Sequence, residues 1–165
     1  KSVCDVPRNV PDDVLDLLKQ NDGVVMVTFV AGFTSPEVAR INQPRIEEFN
    51  RRATGISDPL AIDALRKQVF EGVVFPPVTI AQVADHIDYI AKRIGASHVG
   101  IGSDFDGNDE WPVGLSDVSM YPNLFAELIR RGWSDADLRA LAGGNVLRVM
   151  RSAEAVAARM QAEAQ

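Results

Sequence analysis

Asp104 and Asp106 close the segment His98–Gly107, HVGIGSDFDG, in which a short apolar run climbs into two carboxylates and a glycine. Such a run predicts a buried strand whose last residues emerge at a polar rim. In open α/β sheets and in (β/α) barrels, that rim is where ligands and chemistry gather. A carboxylate placed there can handle a proton, bind a cation or hold an amine. The alternation of a strand would send both carboxylates to the same side. Asp106, beside Gly107, reads better as a loop aspartate capping backbone N–H groups. Asp104, still attached to the strand, is the candidate for chemistry.

The D-x-D-G spacing invites two other readings. An EF-hand needs glycine at its sixth position and glutamate at its twelfth; counted from Asp104, those places hold Asp109 and Leu115, which excludes it. The nucleophile of a haloacid-dehalogenase-like phosphatase also sits in D-x-D-G at a strand end. That chemistry needs a downstream basic residue and a late acidic motif for magnesium. No lysine follows Asp104, and no such acidic cluster follows either, so the phosphatase stands only as an alternative.

Arg8 precedes a helix opened by Pro11. In a βαβ arrangement the loop entering a helix shares its rim with the strand ends, so Arg8, the Gly32-Phe33 segment and Asp104 are expected to face one mouth. A guanidinium can clamp a carboxylate through two parallel charge-assisted hydrogen bonds; the plainer reading, which sequence alone favours, is a surface arginine. His86 falls inside a helix and His98 at the start of its strand, opposite Asp104, so the two are expected to pack rather than to ligate. The chain thus offers no histidine-based metal site of its own. It also lacks a G-x-S-x-G elbow, a Walker loop and a dinucleotide glycine fingerprint.

The elements that must position these residues follow from periodicity and punctuation. Pro11-Asp12-Asp13 opens a helix with Val14, Leu17 and Leu18 as its expected apolar face, and Asn21-Asp22-Gly23 stops it. Val24–Val30, VVMVTFV, predicts a strand buried on both faces. From Ser35 to about Gly72 the pattern is helical and more polar. Ser35-Pro36-Glu37 starts one helix, with Val38, Ile41, Ile46 and Phe49 inward. Ser57-Asp58-Pro59 starts another, with Leu60, Leu65 and Val69 inward. Thr79-Ile80-Ala81-Gln82 is a capping box, and its helix carries Val83, Ile87, Ile90 and Ile94 before Gly95. Beyond the carboxylate loop, Pro122 leads a helix through Leu124, Phe125, Leu128 and Ile129. A shorter one follows Ser134 with Leu138 and Leu141, and a last one runs from about Asn145 through Val146, Val149, Met150 and Val156. Two buried strands separated by helices imply a parallel βαβ unit. Two strands are too few to close a sheet, and a (β/α)8 barrel takes roughly 250 residues. The expected architecture is therefore one part of a larger α/β fold.

At 165 residues the chain is long enough for one domain with a real core. A net charge of −6, with no basic run, argues against a general nucleic-acid or anionic-membrane binder. The single cysteine, Cys4, excludes an internal disulfide and says nothing of compartment. No apolar stretch reaches the length of a membrane span. The chain opens with Lys1, so the lack of a signal peptide at its start decides nothing.

Taken in order, PRNVPDD, VVMVTF, QVADHIDYI, HVGIGSDFDG, SDVSMYPNL and GGNVLRVM closely resemble the C-terminal part of the membrane (renal) dipeptidase family. The resemblance spans nearly all of residues 1–165 as one C-terminal part of a metallodipeptidase barrel; residues 35–75 look like a variable helical connecting segment. It implies an α/β fold, the C-terminal portion of a (β/α)8 TIM-type barrel, and zinc-dependent hydrolysis of dipeptides, many with a D-residue at the C-terminal position. The family's binuclear zinc is held by an early His-x-Asp pair, a glutamate and two later histidines. None of these lies in this chain, and the last would fall a few residues upstream of Lys1. Two roles carry over by position: Arg8 matches the arginine that binds the substrate carboxylate, and Asp104 matches the acidic residue of substrate binding and proton handling. Phe33 stands where some relatives line the pocket with tyrosine, so a polar role there is lost. The implied mechanism is metal-assisted, two zinc ions sharing a water whose pKa they lower. The implied partners are the dipeptide, the missing N-terminal part of the barrel and a second copy in a homodimer. A chain without metal ligands is expected to be inactive alone, and the non-enzymatic alternative is a purely structural fragment. Compartment and preferred dipeptide are not readable.

Overall fold

The β-branched run at the heart of the VVMVTFV segment forms β1, Val25–Thr28, and the apolar run leading to Asp104 forms β2, Val99–Ser103. In the computed structural model, which describes residues 1–164, the two pair in parallel, with Val25 opposite Val99 and Thr28 opposite Ser103. A parallel pair needs a crossover. Here it consists of four helices: α2 (Ala31–Thr34), α3 (Pro36–Ala53), α4 (Pro59–Val69) and α5 (Ile80–Ile94). A further helix, α1 (Asp12–Gln20), precedes β1; α6 (Tyr121–Arg130), α7 (Asp135–Arg139) and α8 (Asn145–Glu163) follow β2. The architecture is α/β, two parallel strands among helices, and not a closed barrel.

The centre of the core is α5. Its capping box is made in full: Thr79 Oγ1 accepts from the Gln82 N–H at 3.4 Å, and Gln82 Oε1 accepts from the Thr79 N–H at 2.9 Å. Gly95, at φ 106°, ends the helix in a conformation that glycine alone adopts freely. Val83, Ile87, Ile90 and Ile94 all point inward, as their spacing predicts, onto Val27, Phe29, Val99, Leu124 and Leu128. Arg131, just past α6, ties that helix to α5. It donates to Glu127 at 2.6 Å, to Asp85 and Asp88 at 2.8 Å each and to the Ala81 carbonyl at 3.0 Å, while the Trp133 indole donates to Asp88 at 2.7 Å. At the far end, buried Asn145 donates to the carbonyls of Ala96 and Val99, both at 2.8 Å, and so fastens the start of α8 to the start of β2.

Three expectations need correction. The buried residue of α1 is Leu15, whereas Val14 and Leu17 are exposed. Polar tethers set that rotation. Arg93 on α5 donates to Asp16 at 2.9 and 2.6 Å and to Asp12 at 3.1 Å, and the Tyr89 hydroxyl donates to Asp12 at 2.6 Å. The face that carries Asp12 and Asp16 is therefore turned onto α5, and Leu15 goes with it. Second, Leu60 and Ile129 are solvent-exposed; Leu65 and Val69 alone anchor α4, and Leu124 and Leu128 anchor α6. Third, β1 is not covered on both faces. Val27 and Phe29 are buried against the helices, but Met26 on the opposite face is 38% exposed. Met26 instead lies over the backbone of β2, where a Cβ on Gly100 would stand 2.5 Å from its sulfur. The helices of the chain pack on one side of the strand pair, and no described element covers the other.

Candidate active-site rim

Because Thr28 pairs with Ser103 and the Phe29 N–H donates to the Ser103 carbonyl at 2.9 Å, both strands finish at one level. Whatever follows each strand belongs to a common end of the sheet. After β1 comes α2, which carries Phe33; after β2 comes Asp104.

The exit of β2 is not a simple continuation of a strand. Val27 faces Ile101 and Thr28 faces Ser103, so Gly102 is the extra residue of a bulge. A Cβ at Gly102 would lie 3.0 Å from that of Met26, which is why the close approach needs glycine. Ser103 and Asp104 then adopt φ values of 37° and 70°, and Phe105–Gly107 winds into a 3-10 turn. Alternation has ended before Asp106 is reached, so the two carboxylates are not placed by strand geometry as expected. Asp104 is exposed at the head of the turn, with its carboxylate against Gly107, where a side chain would collide with it. Phe105 packs against Phe29 (ring centroids 5.6 Å apart, edge-on) and Tyr121 (5.9 Å, stacked). The Ser103 and Tyr121 hydroxyls are hydrogen-bonded to each other.

Arg8 lies in the loop before α1, and its guanidinium stands over the Phe33 ring, 5.1 Å from the centroid. Asn9 locks this pairing. Its side-chain amide donates to the Cys4 carbonyl at 2.9 Å and to the Phe33 carbonyl at 2.8 Å, stitching the N-terminal loop to the helix that follows β1. A cavity of about 130 Å³ opens beside β1, lined by Arg8, Met26, Thr28, Phe33, His86 and Tyr89 among others. Arg8 and Phe33 thus share one pocket wall. Asp104 does not line that cavity; it stands at the neighbouring strand exit. Asn9, Ser103 and Tyr121 were not singled out from sequence. The local signals available were the position of Asn9 directly after Arg8 and of Tyr121 directly before a helix-opening proline.

Both histidines are engaged in the fold. The His86 Nε2–H donates to the Thr34 carbonyl at 3.0 Å, and burial pushes the imidazole below its ordinary pKa, the backbone bond opposing that only in part. His98 Nδ1 bonds the Gly23 carbonyl at 2.8 Å, at the opposite end of β2 from Asp104. Among the described residues, no group of three or more histidine, cysteine, aspartate or glutamate side chains converges to hold a metal ion. The donor set of the described residues does not by itself fit a zinc centre. Burial raises the Glu110 carboxyl, with Asp109 adding to the shift, in the loop beyond the 3-10 turn. Among the described residues, no helix is long and apolar enough to cross a membrane.

Comparison with known proteins identifies the family. The family profile described as membrane dipeptidase, peptidase family M19, matches residues 1–164. The chain is 41% identical over 160 residues to dipeptidase verJ of Clonostachys rogersoniana, covering 97% of this chain and 31% of that protein. It is 36% identical over 156 residues to dipeptidase 3 of Rattus norvegicus, covering 94% of this chain and 24% of that protein. The chain therefore spans under a third of the length of these curated relatives. The crystal structure of the probable dipeptidase PvdM from Pseudomonas aeruginosa superposes with a TM-score of 0.69 at 30% identity, over 89% of this chain and 41% of that one. A metallo peptidase from Rhodobacter sphaeroides, liganded with a phosphinate mimic of the dipeptide L-Ala-D-Ala, gives a TM-score of 0.61 at 25% identity, over 87% of this chain and 31% of that one. By sequence and by fold, the chain belongs to the membrane dipeptidase family, peptidase family M19.

Proposed function

We propose that residues 1–165 form the C-terminal part of a single (β/α)8-barrel dipeptidase, and that Arg8, Phe33 and Asp104 are its substrate-facing contribution. The substrate is a dipeptide, one with a D-residue at its C-terminal position included. The cofactor is zinc. None of the described residues fits it, so its ligands lie outside this chain, and the chemistry of this chain is that of Arg8 and Asp104.

The observation that carries the reading is the strand register: Phe33, under the Arg8 guanidinium, lies in the helix that follows β1, and Asp104 directly follows β2, so each is attached to the end of one of two paired strands. Arg8 stands over the Phe33 ring and carries the planar fork that pairs with a carboxylate. It would bind the C-terminal carboxylate of the substrate and limit substrate length, because a longer peptide places no carboxylate within reach. Asp104, presented on a tight turn, would hold an amine of the substrate or pass a proton to the departing one. The bare face of β1 and β2, with Met26 at its surface, supports the incompleteness of the sheet: an apolar strand run of this kind expects cover on both sides. The phosphinate mimic of L-Ala-D-Ala held by the Rhodobacter sphaeroides relative supports the substrate class. Membership in a peptidase family leaves the phosphatase alternative without support.

Steady-state kinetics of two variants test the reading in the zinc-loaded enzyme that carries this chain. Arg8→Ala loses charge-assisted hydrogen bonds worth about 1.5–3 kcal/mol, which should raise KM for dipeptides by roughly 10- to 150-fold with less change in kcat. Asp104→Asn should lower kcat by about 10²- to 10⁴-fold with little change in KM. An unchanged KM in the first variant removes Arg8 from the site, and a pure KM effect in the second removes Asp104 from the chemistry.

A further inference from the structure

Ser103 and Asp104 are consecutive non-glycine residues with positive φ. L-residues occupy that region at a cost, and a pair of them persists only where the surroundings over-determine it. Here the surroundings are explicit. The Ser103 carbonyl is held by the last ladder bond from Phe29. The Ser103 residue is 7% exposed, and its hydroxyl is bonded to that of Tyr121, the first residue of α6. On the other side of Asp104, Phe105 is wedged between Phe29 and Tyr121. Asp104 is thus exposed between two anchored neighbours, and Tyr121 contributes to both anchors.

We infer that Ser103 and Tyr121 are positioning residues for Asp104: the bond between their hydroxyls holds the left-handed exit of β2 and so sets where the Asp104 carboxylate is presented. The catalytic consequence rests on the reading of Asp104 given above; the geometric one does not. Without the hydroxyl pair, Ser103 is free to return to an ordinary extended conformation, and the turn that aims Asp104 loses its pin. A displacement of about 1 Å at a reacting group can cost roughly 100-fold in rate.

The test uses the zinc-loaded enzyme carrying this chain. Tyr121→Phe keeps the ring between its aromatic neighbours and removes only the hydroxyl. Ser103→Gly removes the partner hydroxyl while tolerating positive φ. Each is expected to lower kcat by about 10-fold or more with KM within about twofold, and the double variant should be no slower than the worse single one. In an Asp104→Asn background, Tyr121→Phe should have no further effect on kcat. A crystal structure of the Tyr121→Phe variant gives a readout apart from activity: the Asp104 carboxylate is expected to shift or take a second conformation while β2 and α6 stay in place. An unmoved carboxylate, or the same loss of kcat with and without the Asp104 side-chain charge, overturns the inference. A displaced carboxylate in an enzyme whose Asp104→Asn variant is fully active leaves the positioning role standing and overturns the reading of Asp104 instead.

Discussion

Single residues divide here into those whose chemistry is visible in type and neighbourhood and those defined only by three-dimensional company. Asp104 belongs to the first group, because an aspartate ending an apolar run marks a strand exit from sequence alone. Its orientation was hidden: the Gly102 bulge and the two left-handed residues interrupt the alternation that sequence reasoning extends to Asp106. His86 belongs to the second group. A histidine within an amphipathic helix gives no warning that it is buried and bonded to Thr34, more than fifty residues away in sequence. Burial holds its pKa below the ordinary imidazole value of 6.5. As pH falls, the unfolded chain therefore takes up this proton before the folded one, and stability drops below about pH 6.5 while remaining unaffected above it. Denaturant unfolding between about pH 7.5 and 5.5 should show that loss, and His86→Gln, which can still donate to the Thr34 carbonyl, should remove most of it. A loss of equal size in the variant would place its origin elsewhere. Asp12 acts in a separate window. The Tyr89 hydroxyl, ahead of Ser2 and Arg93, holds its carboxyl below the ordinary 3.8, so its contribution is present above that value and lost only as the pH falls further.

At the scale of elements, sequence patterns succeeded where the hydrophobic stripe alone decides and failed where charged tethers compete with it. The inward face of α5 was legible in full because four aliphatic residues at helical spacing follow a capping box. The face of α1 was not: four apolar residues, Val14, Leu15, Leu17 and Leu18, compete in so short a helix, and Arg93 and Tyr89, nearly eighty residues away, select Leu15 by binding Asp12 and Asp16. Packing of α6 on α5 shows the same dependence on remote polar partners. Glu127 is 7% exposed and is paired with Arg130 and with Arg131, which also bridges to Asp85 and Asp88. Arg131→Met removes one of the two guanidinium partners of a buried carboxylate and should destabilise the fold by about 2 kcal/mol, less than for a wholly enclosed pair because Arg131 keeps some exposure and Arg130 still pairs with Glu127. Arg131→Lys should recover only part of that, since one ammonium cannot span the same acceptors. An unchanged urea midpoint in Arg131→Met would show that apolar contacts alone hold the two helices together.

For the whole molecule, the strand deficit and the family resemblance pointed the same way. The two parallel strands leave Met26 exposed on one face, and the curated relatives are three to four times the length of this chain. What sequence could not supply was the direction of the bare face, because VVMVTFV reads alike on both sides. The 165-residue chain, supplied with zinc, should therefore show no dipeptide turnover, whereas the same chain joined to the upstream part of such an enzyme should hydrolyse dipeptides; turnover by the chain alone would mean that its own residues complete the site. The claim on which the functional account depends is that Arg8 reads a free C-terminal carboxylate. The most direct test is to compare kcat/KM for a dipeptide and for its C-terminal amide, in the zinc-loaded enzyme and in its Arg8→Ala variant. The account predicts that the parent enzyme prefers the free acid by roughly 10-fold or more and that Arg8→Ala erases the preference, both substrates then being cleaved about equally slowly. A preference that survives intact in Arg8→Ala would contradict it.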